Sequence, residues 1–162
     1  MKRSNDQTIA TDRSNQLLSV RIGTQEFAVS IMAIREIRGW ISSTPLPYAP
    51  HYIKGMINLR GTVLAIIYLA ERLGLPSQTP SSASVVVVVE HGSRVVGLLV
   101  DAVCDIITIT EDMRQNIPDT GDSVSAEFIE SLLMMDDRIV SIIALSAVMP
   151  SEAAVAGVLE EV

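Results

Sequence analysis

The stretch GMINLRG at residues 55–61 decides how this chain folds, together with the apolar run TVLAII that follows it at residues 62–67. The second run is typical of a buried strand. Asn58 and Arg60 interrupt the first one, which therefore fits neither a fully buried strand nor strict alternation. Glycine adopts the backbone conformations of tight turns at little cost, so we expect Gly61 to make the turn of a β-hairpin. This hairpin would carry Asn58 and Arg60 on one strand face near its turn.

Two interpretations of this hairpin remain open. It either presents a fixed amide and a fixed guanidinium to a partner, or it is a solvated edge strand with an ordinary surface arginine. Spacing alone does not separate them. Gly55 opens the stretch as Gly61 closes it, and we expect both glycines to serve as structural turn residues.

Most other segments also have the pattern of short strands. Predicted strands cover residues 17–22, 26–29, 85–89, 95–100, 101–107, 127–135 and 138–145, and a further strand covers residues 34–41 after one helical turn. Residues 69–73 predict a short helix that ends at Gly74, and residues 76–84 and 110–126 predict loops. An apolar stripe after Pro150 predicts a C-terminal helix over residues 149–162, with a frayed tail as the alternative.

Composition limits the possible classes of protein. The 162 residues are 48% apolar but only 4% aromatic, which predicts an aliphatic core, and the net charge of −7 argues against nucleic-acid binding and against adsorption to anionic lipid. Cys104 is the single cysteine, so no intrachain disulfide forms. Residues 1–16 are polar and predict a flexible N-terminal arm without a signal peptide, and we expect a cytoplasmic protein without direct membrane insertion.

The two halves of the chain, divided near residues 76–84, resemble each other. Residues 23–37 align with residues 92–106, and residues 61–69 align with residues 137–145. Each half would supply about five short strands, and closing each set into a small barrel would bury the apolar side chains and remove exposed sheet edges. We therefore expect two small barrels packed together. Chance β-patterning is the alternative, because few residues are identical.

The two halves differ at the hairpin. Where the first half has Asn58, Arg60 and Gly61, the second has Met134, Asp136 and Asp137, so the barrel itself does not require the arginine. This favours a function for Arg60. No phosphate-binding, dinucleotide-binding or nucleophile-elbow motif is present, and the histidines lack metal-ligand spacing. The sequence therefore predicts a protein without enzymatic activity, cofactor or metal site.

The blocks IREIRG at residues 34–39, IKGMINLRG at residues 53–61 and RVVGLLVDAV at residues 94–103 resemble the CheW-like chemotaxis coupling family. The resemblance covers residues 17–148. It implies a mostly β fold of two SH3-like five-stranded β-barrels packed together, with short helices. It also implies protein-binding roles for Glu36 and Arg60, to which we add Asn58, Ile31 and Ile34 as candidates. A solvated charge is the alternative for Glu36.

The same resemblance implies what the protein does. Family members are non-catalytic scaffolds that join the cytoplasmic tip of methyl-accepting chemotaxis receptors to the regulatory domain of a CheA-type histidine kinase. We therefore expect a bivalent adaptor that is cytoplasmic and recruited to membrane receptor arrays. The alternatives are a CheW-like adaptor of a non-chemotactic pathway, such as pilus motility, and a small-ligand-binding β-barrel protein.

Overall fold

The computed structural model describes residues 15–40, 43–45, 49–76, 79–116 and 126–150. Its strands are β1 (Gln16–Ile22), β2 (Gln25–Ser30), β3 (Ile34–Gly39), β4 (Ile53–Leu59), β5 (Thr62–Tyr68), β6 (Val85–His91), β7 (Arg94–Val100), β8 (Ala102–Thr108), β9 (Arg114–Gln115), β10 (Ile129–Met135) and β11 (Arg138–Ile143). The described helices are α1 (Leu69–Arg72) and α2 (Leu145–Val148), and 3₁₀ turns cover Ile31–Ala33, Glu111–Met113 and Ala126–Phe128. The expectation of a mostly β protein with short helices is confirmed.

The described strands form two sheets, and each sheet takes strands from both halves of the chain. The five-stranded sheet has the order β3-β6-β7-β5-β4, and the six-stranded sheet has the order β8-β1-β2-β11-β10-β9. Parallel pairing of β5 with β7 and of β2 with β11 joins the halves. Our expectation that each half closes its own set of strands was wrong. The halves instead exchange their first hairpins, which makes the two sheets interdependent.

The internal duplication is visible in this topology. Replacing each strand of one sheet by its counterpart in the other half converts the first strand order into the second, apart from β9. The turns agree as well: Gly23 and Gly92 have φ of 60° and 64°, and Arg60 and Asp136 have φ of 51° and 48°. Corresponding turns therefore have the same handedness in both halves.

A shared core holds the sheets together. Val20 and Phe27 of the six-stranded sheet belong to the same buried cluster as Ile66, Val87 and Leu98 of the five-stranded sheet, and each of these side chains is fully buried. The valine run of β6 is buried on both faces, which explains why its sequence does not alternate. A smaller cluster, with Leu133 and Val140 at its centre, fills the other side of the six-stranded sheet.

Gly55 lies inside β4, not at a turn as its position at the start of the stretch had suggested. Thr44 pairs with Met56 at the free edge of β4 through two backbone hydrogen bonds of 3.0 Å. A Cβ atom on Gly55 would lie 2.4 Å from the carbonyl oxygen of Thr44. Gly55 is therefore required because another segment of backbone packs directly against it.

Three further boundaries differ from expectation. Leu145 begins helix α2 and does not end the last strand. The predicted loop over residues 110–126 contains the short strand β9, which pairs with β10. Gln16, assigned to the arm, is the first residue of β1. The remainder of the arm, residues 1–14, and most of the predicted C-terminal helix, residues 151–162, lie outside the described residues.

Arg72 connects the ends of the two halves. Its Nε and Nη2 donate to the carbonyl oxygens of Val148 and Ala147 at 3.1 and 3.0 Å, which satisfies carbonyls at the end of α2. Its guanidinium also lies 4.2 Å from the ring centroid of Tyr52 and 5.0 Å from that of Phe128. One side chain thus joins α1 to α2.

Replacing Arg72 by alanine should therefore destabilise the fold. Two charge-assisted hydrogen bonds and two cation–π contacts are lost, and we expect the free energy of unfolding to fall by about 2 to 3 kcal/mol. Urea denaturation measures this. Arg72→Lys keeps the charge but not the two-pronged geometry, so it should recover only part of the loss. A loss below about 0.5 kcal/mol for the alanine variant, the range of ordinary surface substitutions, would contradict the role assigned to Arg72.

Candidate functional site

The site is built on the turn between β4 and β5. Leu59 pairs with Thr62, so Arg60 and Gly61 alone make the turn, with φ of 51° and 85°. Positive φ at both central residues is typical of a type I′ hairpin turn. The turn was expected, but Arg60 lies in the turn itself and does not share a strand face with Asn58. Asn58 stabilises this turn, because its Oδ1 accepts a hydrogen bond of 2.9 Å from the backbone N–H of Gly61.

Arg60, in the β4–β5 turn, contacts Glu36, which lies on the opposite edge strand of the five-stranded sheet. Its Nη2 binds Oε2 of Glu36, and its Nη1 lies 3.5 Å from Oε1, so the pair is two-pronged. Arg38 adds a hydrogen bond of 3.3 Å to the same carboxylate. Glu36 lies on β3 and Arg60 follows β4, and these are the two edge strands of the sheet. The ion pair therefore connects the first and last strands of this barrel.

The environment favours the charged form of Glu36. The hydrogen bond from Arg60 is the largest cause that lowers the pKa of this carboxyl below its usual 4.5, and Arg38 acts in the same direction. Desolvation acts in the opposite direction but does not reverse the shift. The side chain of Arg60 is 69% exposed, so the pair is accessible to a partner.

This electrostatic environment gives a pH-dependent expectation. Because the folded-state pKa of Glu36 is lowered, the contribution of the ion pair is fully present above pH 4.5 and is lost as the pH falls through the lowered pKa. Carboxyl-detected NMR should give a titration midpoint for Glu36 below 4.5. In Arg60→Ala the midpoint should move upwards. A midpoint at or above 4.5 in the unsubstituted protein would contradict the ion pair.

Beneath the ion pair lies a cavity of about 380 Å³. Buried Leu59, Leu64 and Val88 line it, together with Val95 and with the polar or charged residues Arg35, Glu36, Arg60 and Thr62. A cavity that combines aliphatic and charged side chains can contact an apolar side chain of a partner and fix its orientation through the charges. In the described part of the chain no group of three or more His, Cys, Asp or Glu side chains could hold a metal ion.

Ile31 and Ile34 are not the outward-facing members of their segment. Both are half-buried and pack against the main core. Met32 and Ile37 are the exposed apolar side chains beside them, at 65% and 46%. Both fall within the segment 31–37 that the sequence suggested as a binding surface, but neither was among the individual binding residues predicted there. The 3₁₀ turn that exposes Met32 is fixed by Ser30, whose Oγ accepts a hydrogen bond of 3.3 Å from the N–H of Met32. In β3 the two charged residues Arg35 and Glu36 are adjacent, so they point to opposite faces of the strand. Their positions therefore do not show which isoleucine of the segment faces solvent.

A second, larger cleft lies between the two sheets, also missed from the sequence. Its volume is about 470 Å³. Ser30 and Met32 line it from one side, His91 from the end of β6, and Leu145 from α2. The cleft lies next to the exposed 3₁₀ turn. The apolar side chain of Met32 therefore belongs both to the lining of the cleft and to the exposed surface that precedes β3.

The chain is similar to proteins of one family. The family model described as CheW-like domain matches residues 16–153. The "Chemotaxis protein CheW" of Rhizobium meliloti (strain 1021) is 44% identical over 142 residues, 88% of this chain and 92% of that protein. The "Probable chemotaxis protein CheW" of Rhizobium etli is 46% identical over 132 residues, 82% of this chain and 85% of that protein.

A solved structure has the same fold. It is the crystal structure of the scaffolding protein TtCheW from Thermoanaerobacter tengcongensis, with a TM-score of 0.78 and 27% identity over 86% of this chain and 94% of that one. Among the described residues of this chain, no helix has the length and hydropathy needed to cross a bilayer.

Proposed function

The chain belongs to the CheW-like family, and from this we propose that it is a non-catalytic adaptor that couples chemoreceptors to a CheA-type histidine kinase in chemotaxis. The observation that carries the proposal is the similarity along nearly the whole chain to relatives named for chemotaxis. The adaptor acts in the cytoplasm and is recruited to membrane receptor arrays by the receptors it binds.

The geometry around Arg60 supports a binding role for this residue. A left-handed backbone conformation is unfavourable for a residue other than glycine, and an ion pair as exposed as this one stabilises a fold only a little. Arginine at this turn is therefore not explained by stability of the fold. Its accessible guanidinium is held by Glu36 above a cavity lined by both aliphatic and charged side chains, which is the composition of a docking site.

We assign two surfaces to two partners. The first surface comprises the β4–β5 turn with Arg60, the strand β3 with Glu36, and residues 31–37, and it binds the tip of the receptor's helical hairpin. Apolar contacts there supply area, and the charges of Glu36 and Arg60 set the register. The second surface lies on the six-stranded sheet and binds the regulatory domain of the kinase, whose fold would match this one.

Each of these contacts can be weak. Transient signalling interfaces often bury less than about 1,200 Å². In an array, however, one contact raises the effective concentration for the next, so avidity compensates for low affinity. The adaptor then controls the kinase by shifting the populations of existing states, not by chemistry of its own.

Reversing the charge of Glu36 tests the receptor surface. In Glu36→Arg the carboxylate is replaced by a cation beside Arg60 and Arg38, so like charges repel and the register is lost. We expect pull-down of this variant to lose the receptor tip and to retain the kinase regulatory domain, which shows that the fold is intact. Glu111→Arg is the matched control for receptor binding, because its carboxylate is 91% exposed and lies in the 3₁₀ turn before β9, outside the first surface. Unchanged retention of both partners by Glu36→Arg would refute the site.

A further inference from the structure

Met32 is the most exposed of the large apolar side chains in the part of the chain that the structure describes, at 65%. It lies in the 3₁₀ turn Ile31–Ala33, which connects β2 of the six-stranded sheet to β3 of the five-stranded sheet. Ser30 holds this turn, because its Oγ accepts a hydrogen bond of 3.3 Å from the N–H of Met32. The fold therefore presents a thioether to solvent at the junction of the two sheets.

The methionines of the chain differ in their access to solvent. Met134 is also exposed, at 47%. The other four methionines among the described residues are buried or pack partly against a core: Met56, Met113, Met135 and Met149. An oxidant must reach the sulfur atom to react with it, so exposed thioethers react first. Within the described ranges, Met32 and Met134 are therefore the two methionines most open to oxidation.

Only one of these two side chains lies where a partner is expected to dock. Met32 lines the cleft of about 470 Å³ between the two sheets, to which Leu17 and Leu145 add further apolar side chains, whereas Met134 is not part of that lining. Met32 also belongs to the first surface, which we assigned to the receptor tip. A flexible, apolar thioether adapts to the shape of such a partner without losing a hydrogen bond.

We propose that Met32 is a reversible oxidation site through which hydrogen peroxide weakens receptor binding. The sulfur atom of Met32 is oxidised by two electrons and forms a bond to one oxygen of the peroxide. The O–O bond breaks, and the second oxygen leaves as water with both protons of the peroxide. The product is a methionine sulfoxide, whose S=O group is polar and accepts hydrogen bonds.

The effect on binding follows from the polarity of the sulfoxide, and it rests on the proposed function because the receptor tip is the partner that covers Met32. Burying a polar group without a hydrogen-bond donor is unfavourable, so affinity for the receptor tip should fall by about tenfold or more. Methionine sulfoxide reductases reverse the change: two thiols are oxidised to a disulfide, the sulfoxide oxygen leaves as water, and the thioether is restored. The site therefore makes receptor coupling sensitive to peroxide without any chemistry by the adaptor itself.

Limited treatment of the full chain with hydrogen peroxide tests the proposal. Peptide mass mapping should find one added oxygen on Met32 and Met134 before any on Met56 or Met149. Calorimetric titration with a soluble receptor fragment, before and after the treatment, should show the loss of about tenfold or more in affinity. Incubation with methionine sulfoxide reductases and dithiothreitol should restore the original affinity.

Two leucine variants assign the effect to one sulfur atom. Leucine has nearly the volume of methionine but no sulfur, so both variants should fold. Peroxide should leave the affinity of Met32→Leu at its own starting value, whereas Met134→Leu, the matched control at an exposed site outside the cleft, should lose affinity as the unsubstituted protein does. Peroxide also reaches the exposed thiol of Cys104, but both variants keep that thiol, so their difference reports Met32 alone.

The readouts separate failure of this inference from failure of the proposed function. A protein that does not bind the receptor fragment before oxidation contradicts the proposed function, and the inference with it. Unchanged affinity after mass mapping shows Met32 fully oxidised would overturn the inference alone. So would an equal loss of affinity in Met32→Leu, or oxidation of the buried Met56 and Met149 as rapid as that of Met32.

Discussion

Replacing Gly55 by alanine is expected to lower the free energy of unfolding by about 3 kcal/mol or more, a larger effect than most single substitutions have. The added Cβ would lie 2.4 Å from the carbonyl oxygen of Thr44 and 2.9 Å from its carbonyl carbon. Backbone atoms cannot rotate away as a side chain can, so Thr44 must separate from Met56 and their two hydrogen bonds break. The φ of 156° at Gly55 adds strain for any residue with a side chain.

Gly39→Ala is the matched control for this prediction. Gly39 also lies on an edge strand of the five-stranded sheet, but nothing lies within 4 Å of the position its Cβ would take. Its unfolding free energy should change by about 0.5 kcal/mol at most. Urea denaturation of both variants measures the difference. Equal stability of Gly55→Ala and Gly39→Ala would show that the Thr44 segment does not pack against β4 as described.

Arg60→Asn is expected to separate binding from folding. Asparagine tolerates the left-handed conformation of the turn, and the ion pair that is lost is exposed, so the free energy of unfolding should change by less than about 1 kcal/mol. Affinity for the receptor tip, in contrast, should fall by about tenfold or more, because a charge-assisted contact worth about 1.4 kcal/mol is removed from the surface. Calorimetric titration with a soluble receptor fragment measures the affinity.

The equivalent turn of the other hairpin supplies the control. Asp136 has nearly the same backbone conformation as Arg60, and Asp136→Asn changes its charge without changing the turn. This variant should bind the receptor fragment as the unsubstituted protein does. A decrease of the same size in both variants would mean that the binding surface is not specific to Arg60.

The sequence predicted the local elements well where side-chain pattern and turn chemistry agree. The hairpin around Gly61 was expected because glycine follows an apolar run and precedes another. The strand over the valine run was expected from its length and its β-branched residues. The duplication was visible because corresponding strands keep the same apolar positions, for example Ile37 and Ile106, even where few residues are identical.

The exchange of hairpins between the halves could not be predicted in the same way. Alternation determines which face of a strand is buried, but it does not determine which strand lies beside it. The contact between Glu36 and Arg60 depends on that exchange, because β6 and β7 of the second half lie between β3 and β5. Both residues were therefore recognisable as candidates from the sequence, but their contact in one ion pair was not.

Two other features left too little signal in the sequence. The strand β9 has two residues, Arg114 and Gln115, and no period can be recognised in so short a segment. Glycine is required at position 55 of β4 because Thr44, eleven residues earlier in the chain, packs against it. Nothing at residues 55–61 indicates that contact. Both features depend on contacts between segments that are distant in the sequence, and such contacts leave no local pattern in the chain.

Co-sedimentation with receptor-bearing membranes tests most directly whether the protein joins two partners at once. Soluble kinase regulatory domain would be mixed with the membranes in the presence and absence of the adaptor, and the kinase domain in the pellet measured. The account predicts that the kinase domain reaches the pellet only when the adaptor is present, and that Arg60→Asn leaves it in the supernatant. Kinase domain that pellets equally well without the adaptor, or that stays in solution with it, would contradict the account.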